Sequence, residues 1–352
     1  MPALPAPRPL TLADLSPANF GMVMATGIVS IAAQLLGQPR LAQALLLVNV
    51  LAYGVLWLLT VLRLVRHPGR FAADLVDHLR GPGFFTLVAG SAVLGSQCLL
   101  LWDLQRAAFA LWWVTVGLWL VLTYGVLAAF TTKRSKPTLD RGINGAWLLM
   151  VVATQSIAVL GALLAPQLAL EQRLVMRFAA LALWLWGGML YIWLMALIFY
   201  RYTFFVLGPD DLTPPYWINM GAMAISTLAG SLLTLDAPEA PFLLPLLPFI
   251  KGFTLFYWAS GTWWIPMLLV LGVWRHGIRR VPLRYDPLYW GAVFPLGMYA
   301  VCTFDLIEAL GLPFLDWLPR LFGAAALLAW SLAFVGLLHR IAGWLRQRPD
   351  GR

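Results

Sequence analysis

The amino-acid sequence predicts an all-α membrane protein of ten transmembrane helices arranged as five helical hairpins. Three observations predict it. Of 352 residues 61% are hydrophobic and only 11% charged, with a mean hydropathy of +0.80, whereas soluble domains carry about 25% charged residues. Ten stretches contain no Asp, Glu, Lys or Arg and reach roughly 20 residues, the length that crosses ~30 Å of hydrocarbon as a helix. The links after the first and third spans are short, three and four residues, as in consecutive hairpins. A closed barrel is the other spanning solution, and its alternating ten-residue segments are not what these continuous runs look like.

The chain begins MPALPAPRPLTLADLS, with Arg8 and several prolines but no apolar core ending in a cleavage site. It reads as a tail, 1–17, before an uncleaved first span at 18–37, and not as a signal peptide. Only Gln38 to Arg40 separate that span from the second, 41–62. The remaining pairs are 81–102 with 107–130, 142–165 with 178–200, 212–235 with 252–274, and 287–304 with 321–338. The membrane domain is thus expected over 18–339, followed by a basic tail at 340–352.

Charge orients the chain. Loops on the side of the amino terminus hold 18 of the 24 basic residues, among them Arg63, Arg66, Arg70, Arg80, Lys133, Arg134, Arg201, Arg275 and Arg284. The other side holds 6: Arg40, Arg106, Arg173, Arg177, Lys251 and Arg320. By the positive-inside rule both termini are expected in the cytoplasm of a cell whose inner (plasma) membrane holds the protein. The net charge of +9 is then a topology signal. Dispersed over five loops and a tail, it makes a poor nucleic-acid patch.

Odd and even spans differ in composition. The odd spans contain 32 Gly, Ser, Thr and Pro residues and the even spans 18, in nearly equal lengths. Small residues let helices approach closely inside a bundle, while Leu, Val and Trp suit lipid. The odd spans are therefore expected to form an inner pore ring and the even ones an outer ring; a bias for helix packing alone would leave the same imprint. NFGMVMATGIVS, NGAWLLMVVATQS and NMGAMAISTLAGS, in spans one, five and seven, hint at a repeated hairpin.

Chemistry-bearing residues are scarce. No phosphate loop, nucleophile elbow or metal motif appears. Cys98 and Cys302 lie in apolar runs, which implies no disulfide framework, and the four histidines sit at span ends without ligand spacing. No catalytic residue, metal or cofactor is expected, and the chain does not read as an enzyme. Neutral groups remain mid-membrane as pore-lining candidates: Met24, Thr26, Gly27, Phe84, Phe85, Thr86, Thr154, Gln155, Ser226 and Thr227. Asp305 and Glu308, one turn apart after the ninth span, are either an outer-vestibule or coupling pair or solvated caps. No carboxylate, Lys, Arg or His lies deep in any span, so no buried proton relay or strong ion-binding charge of the kind such residues usually mark is expected.

GAVFPLGMYAVCTF, residues 291–304, sets Phe294 directly before Pro295. A proline inside a helix frees the carbonyl four residues back, Gly291, and bends the axis. The bend would aim the phenyl ring at the bundle axis, where an apolar constriction can gate a pore; the alternative is an aromatic packed beside a kink. Phe294 and Pro295 are the gate candidates. An uncharged corridor with basic mouths suits weakly hydrated anions.

At these residues the chain resembles the tellurite-resistance/C4-dicarboxylate transporter family, related to plant guard-cell slow anion channels and fungal malate permeases. The stretches that carry the resemblance are PANFGMVMATGIVS, GPGFFTLVAGSAVLGSQ, NGAWLLMVVATQS, WINMGAMAISTLAG, SGTWWIPMLLVLGVWR and VFPLGMY, spread over about residues 15–340. The resemblance implies ten helices in five hairpins, a pore within each subunit, a homotrimer, and a phenylalanine gate on the ninth helix that maps to Phe294. Channel-like passage of inorganic anions or small mono- and dicarboxylates is the expected function. The rivals are a proton-coupled C4-dicarboxylate carrier and a non-transporting scaffold or enzyme.

Overall fold

Apolar runs of 19 to 35 residues form ten long helices in the computed structural model, which describes residues 11–283 and 285–346. They are α1 (Pro17–Leu35), α2 (Pro39–Arg66), α3 (Gly81–Trp102), α4 (Gln105–Thr132), α5 (Gly145–Gln167), α6 (Leu170–Phe204), α7 (Pro214–Glu239), α8 (Leu244–Ile278), α9 (Pro287–Leu310) and α10 (Pro313–Arg346). No strand occurs among the described residues. Arg8, Arg284, Arg348 and Arg352, part of the charge count, lie outside the described residues, as do the outer parts of both tails.

Each odd helix packs on the next even one, α1 on α2 through α9 on α10, which makes five hairpins. The odd helices also touch one another in the closed order α1, α3, α5, α7, α9 and back to α1. Burial follows that geometry. In the apolar windows of the odd helices 61–94% of residues are buried, against 17–50% in the even helices. The odd helices, richer in small residues, are thus the more buried set and the even helices the more exposed one. Large apolar side chains such as Leu51, Val121, Trp193, Val270 and Leu332 cover the outside, as lipid requires.

All five odd helices begin with a 3-10 turn: Pro17–Phe20, Gly81–Phe84, Gly145–Leu148, Pro214–Trp217 and Pro287–Tyr289. Four carry proline in the first turn, where the missing N–H costs nothing. Side chains of Ser16, Asn144 and Asp286 accept from backbone amides two residues on and cap three of these turns. The five turns contact each other in the same closed order as the helices. That end of the ring is sealed.

The helices outrun the charge-free windows read from the sequence. α6 takes in Arg173, Arg177 and Arg201, α8 takes in Lys251 and Arg275, and α10 continues through Arg340 to Arg346, where the sequence suggested a tail. Propagating a formed helix by one residue is cheap, and long basic stems lie well on apolar surface. Arg63, Arg177 and Arg201 are consequently only 2%, 0% and 7% exposed, so the windows hid three buried cations. Likewise Asp305 and Glu308 belong to the last two turns of α9 and do not follow the span.

Candidate functional site

Where the odd helices end, they enclose a cavity of about 220 Å³. Each contributes one stripe at three- and four-residue spacing. These are Ile28, Ile31 and Leu35 on α1; Val93, Ser96 and Leu100 on α3; Ser156, Val159 and Leu163 on α5; Ile225, Leu228, Leu232 and Leu235 on α7; and Met298, Val301, Asp305 and Glu308 on α9. Residues so spaced share one helix face. No even helix reaches the cavity wall. The volume suits a small solute rather than a drug-sized one.

Stepping each stripe back by four residues gives Met24, Ala89, Val152, Gly221 and Phe294, all buried and all apolar. Phe294 is 1% exposed and is the largest of the five. The neighbours of Phe294 on α9 pack sideways. A methyl built on Gly221 would meet Pro295 Cγ at 2.7 Å, and one on Gly297 would meet Ile28 at 2.9 Å. Pro295 thus lies inside a helix that is continuous over Trp290–Leu310 and rests on the bare backbone of α7.

The hydroxyl-bearing candidates face the other way. Thr26 Oγ1 accepts from Trp330 Nε1 of α10 at 2.9 Å, and Thr154 Oγ1 accepts from Trp119 Nε1 of α4 at 2.8 Å. Trp184 Nε1 of α6 donates to the Ser226 carbonyl at 2.9 Å. Tyr53 of α2 shares a 2.9 Å hydrogen bond with Ser91 of α3, and Trp258 Nε1 of α8 donates to Thr303 of α9 at 3.1 Å. Every even helix therefore latches an aromatic donor onto the next odd helix around the circle. Gln155 Nε2 donates to the Trp184 carbonyl at 2.9 Å, Thr227 bonds within its own helix, and Gly27 lies against Val93 and the Asn49–Gln97 amide pair. Phe84 stacks edge-on with Phe71, while Phe85 is fully buried. Thr86, seven residues before Val93, falls on the α3 stripe, but its hydroxyl is bound to the Pro17 and Gly83 carbonyls. None of the ten pore-lining candidates borders the cavity. Met24 continues the cavity stripe of α1 at four-residue spacing.

Sequence reasoning missed the cavity wall itself, including Ser96 and Ser156, although the three-four spacing of aliphatic residues in every odd helix was available to find it. Asp305 and Glu308, which the sequence offered either as an outer-vestibule or coupling pair or as solvated caps, are on the cavity wall.

The sealed end is held by cations at the carboxyl ends of even helices. Arg63 Nε donates to the Ala13 carbonyl at 3.1 Å, Lys133 Nζ to Val76 at 3.0 Å, Arg201 Nε to Asp140 at 2.8 Å, and Arg275 to Leu212. Each carbonyl lies in the segment leading into the odd helix of the same hairpin. In the fifth hairpin Tyr285 packs on Gly336 of α10 instead. Arg201 also pairs with Asp211 and the Tyr216 hydroxyl. His78 stacks on Phe130 at 4.2 Å beside Lys133, and burial together with that ammonium holds its pKa below the usual imidazole value.

Sequence relatives cover nearly the whole chain. A mycobacterial protein, an uncharacterized membrane protein of Mycobacterium tuberculosis, is 40% identical over 153 residues, 44% of this chain and 77% of its own length. An uncharacterized transporter of Methanocaldococcus jannaschii is 25% identical over 92% of both chains. The sulfite efflux pump SSU1 of Trichophyton rubrum is 23% identical over 94% of this chain and 92% of its own. Residues 14–338 match the SLAC1 family, described as voltage-dependent anion channels, and with all ten helices inside or overlapping that match the chain belongs to this family.

Proposed function

We propose that the chain passes small anions along the axis of its five-helix ring and that Phe294 is the stopper. The observation that carries this reading is register. Phe294 continues the α9 stripe that lines the cavity, at a level where the other four helices present only Met24, Ala89, Val152 and Gly221. Five helix amino termini converge on the sealed end, and each contributes roughly half a positive charge there. The basic side chains gathered at the same end add to that field, which favours an anion over a cation. Anion transport is also the theme of the family and of the sulfite pumps among its relatives. Cytoplasmic termini, an inner-membrane location and a homotrimer belong to this reading.

Phe294→Ala is expected to raise anion flux into liposomes severalfold over wild type, measured with chloride, nitrate, sulfite, malate and succinate. An unchanged flux would place the block elsewhere on the axis. A second reading, a proton-coupled dicarboxylate carrier, is favoured by one observation, the carboxylates on the cavity wall. It requires malate or succinate uptake that a pH gradient drives, and insensitivity to the gradient removes it.

A further inference from the structure

Two ring helices end in an acidic pair spaced by three residues, and the protein treats them differently. On α7, Asp236 lies 3.4 Å and Glu239 2.9 Å from the fully buried guanidinium of Arg177, and Glu239 lies 3.2 Å from Arg173. On α9, Asp305 and Glu308 face the cavity, and among the described residues neither makes an ion pair or a side-chain hydrogen bond. The helices packed on α9 offer them no compensation. α1 has no ionisable residue, the acids of α7 are engaged with Arg173 and Arg177, α8, latched to α9 through Trp258, carries Lys251, and α10 brings Asp316 and Arg320, none of these last three paired with Asp305 or Glu308. Cys302 is the other titratable group on that part of α9. The rest of the cavity wall is aliphatic apart from the hydroxyls of Ser96 and Ser156. Five helix carboxyl termini converge here as well, each with a partial negative charge.

A mostly apolar cavity with two unpaired carboxylates on its wall, Asp305 half-buried and Glu308 exposed, is a poor host for a bare anion, because like charges repel. It is a good host for an acid that still carries its proton, whose O–H can donate to a carboxylate oxygen. We infer that Asp305 and Glu308 form a charge filter at the cavity end of the path: their negative charge refuses fully dissociated anions and admits protonated oxyacids. This rests on the axial path proposed above and names the solute class that path accepts from one side. The filter is separate from the stopper, three and four turns of α9 away from Phe294.

The test uses the full chain in planar bilayers, as wild type and as Phe294→Ala, with nitrate as a probe that stays dissociated at every pH used and malate as one that takes up a proton as the pH falls. As the cavity-side pH falls from about 8 to about 5, nitrate current in Phe294→Ala is expected to rise about tenfold, the effect of lifting ~1.4 kcal/mol of repulsion. Adding Asp305→Asn with Glu308→Gln should give the high current at every pH, and each single substitution an intermediate one. Malate, dissociated at about pH 8 and partly protonated at about pH 5, should rise at least as steeply as nitrate. A nitrate current in Phe294→Ala that ignores cavity-side pH overturns the filter while leaving the path intact, and so does a double substitution that keeps the pH profile. Should no variant pass any anion at any pH, path and filter fall together.

Discussion

The two ends of the five-helix ring are built from the same helices yet behave as opposites. Where the helices begin, 3-10 turns touch around a closed circle and cations hold their lead-in segments. Where they end, aliphatic stripes stand apart around empty space with unneutralised acids. The difference teaches that ring closure is a local property of the helix ends. Short, proline-started turns let backbones meet, and long Leu and Val stripes keep them apart. A positive, closed end facing a negative, open one also gives the ring a polarity that its fivefold repetition would not suggest.

That comparison can be tested by equal cuts at both ends. Leu148, fully buried in the 3-10 turn of α5, should cost about 3 kcal/mol when truncated to Ala. Leu163, on the cavity wall of the same helix, should cost less than half of that, because the space beside it is already empty. Thermal unfolding in detergent measures both, and equal losses would mean that the two ends are packed alike. A smaller effect is expected from Lys133→Ala, which removes one staple at the sealed end. It should lower stability by about 1 kcal/mol, the usual worth of a hydrogen bond to a charged donor that is partly in water, with the greatest local loosening at the lead-in to α3. Hydrogen exchange of Val76 to Arg80 reports it.

The smallest effect concerns pH. His78 has a folded-state pKa below its unfolded value of about 6.5, so the folded state binds fewer protons. Its contribution is therefore complete above about pH 6.5 and declines as pH falls below that. His78→Phe keeps the stack on Phe130 and should flatten this part of the stability profile between about pH 7.5 and 5.5. A slope that survives the substitution assigns the decline to another group.

Much of the architecture was legible in the sequence. Ten charge-free runs gave ten helices, and their small-residue content separated the buried α3, α5 and α7 from the lipid-facing α2 and α10. Helix ends were not legible, because a charge-free window stops at Arg177 or Arg201 whereas the helix carries the side chain on into a buried ion pair. The direction of the hydroxyls was not legible from composition either. Thr26 and Thr154 looked like pore groups until their bonds to Trp330 and Trp119 placed them on the outward face. Their register against the aliphatic stripes held the answer, since Thr154 stands two residues from Ser156, half a turn around the helix.

The aromatic latches have a consequence for how the chain is made. Four of them join helices that leave the ribosome one after another, so each hairpin can be fastened as it enters the bilayer. The fifth joins Trp330 to Thr26, partners 304 positions apart in the chain. Until the tenth helix arrives, the first must wait with an unanswered hydroxyl and an open flank, so the circle closes only after the other nine are in place.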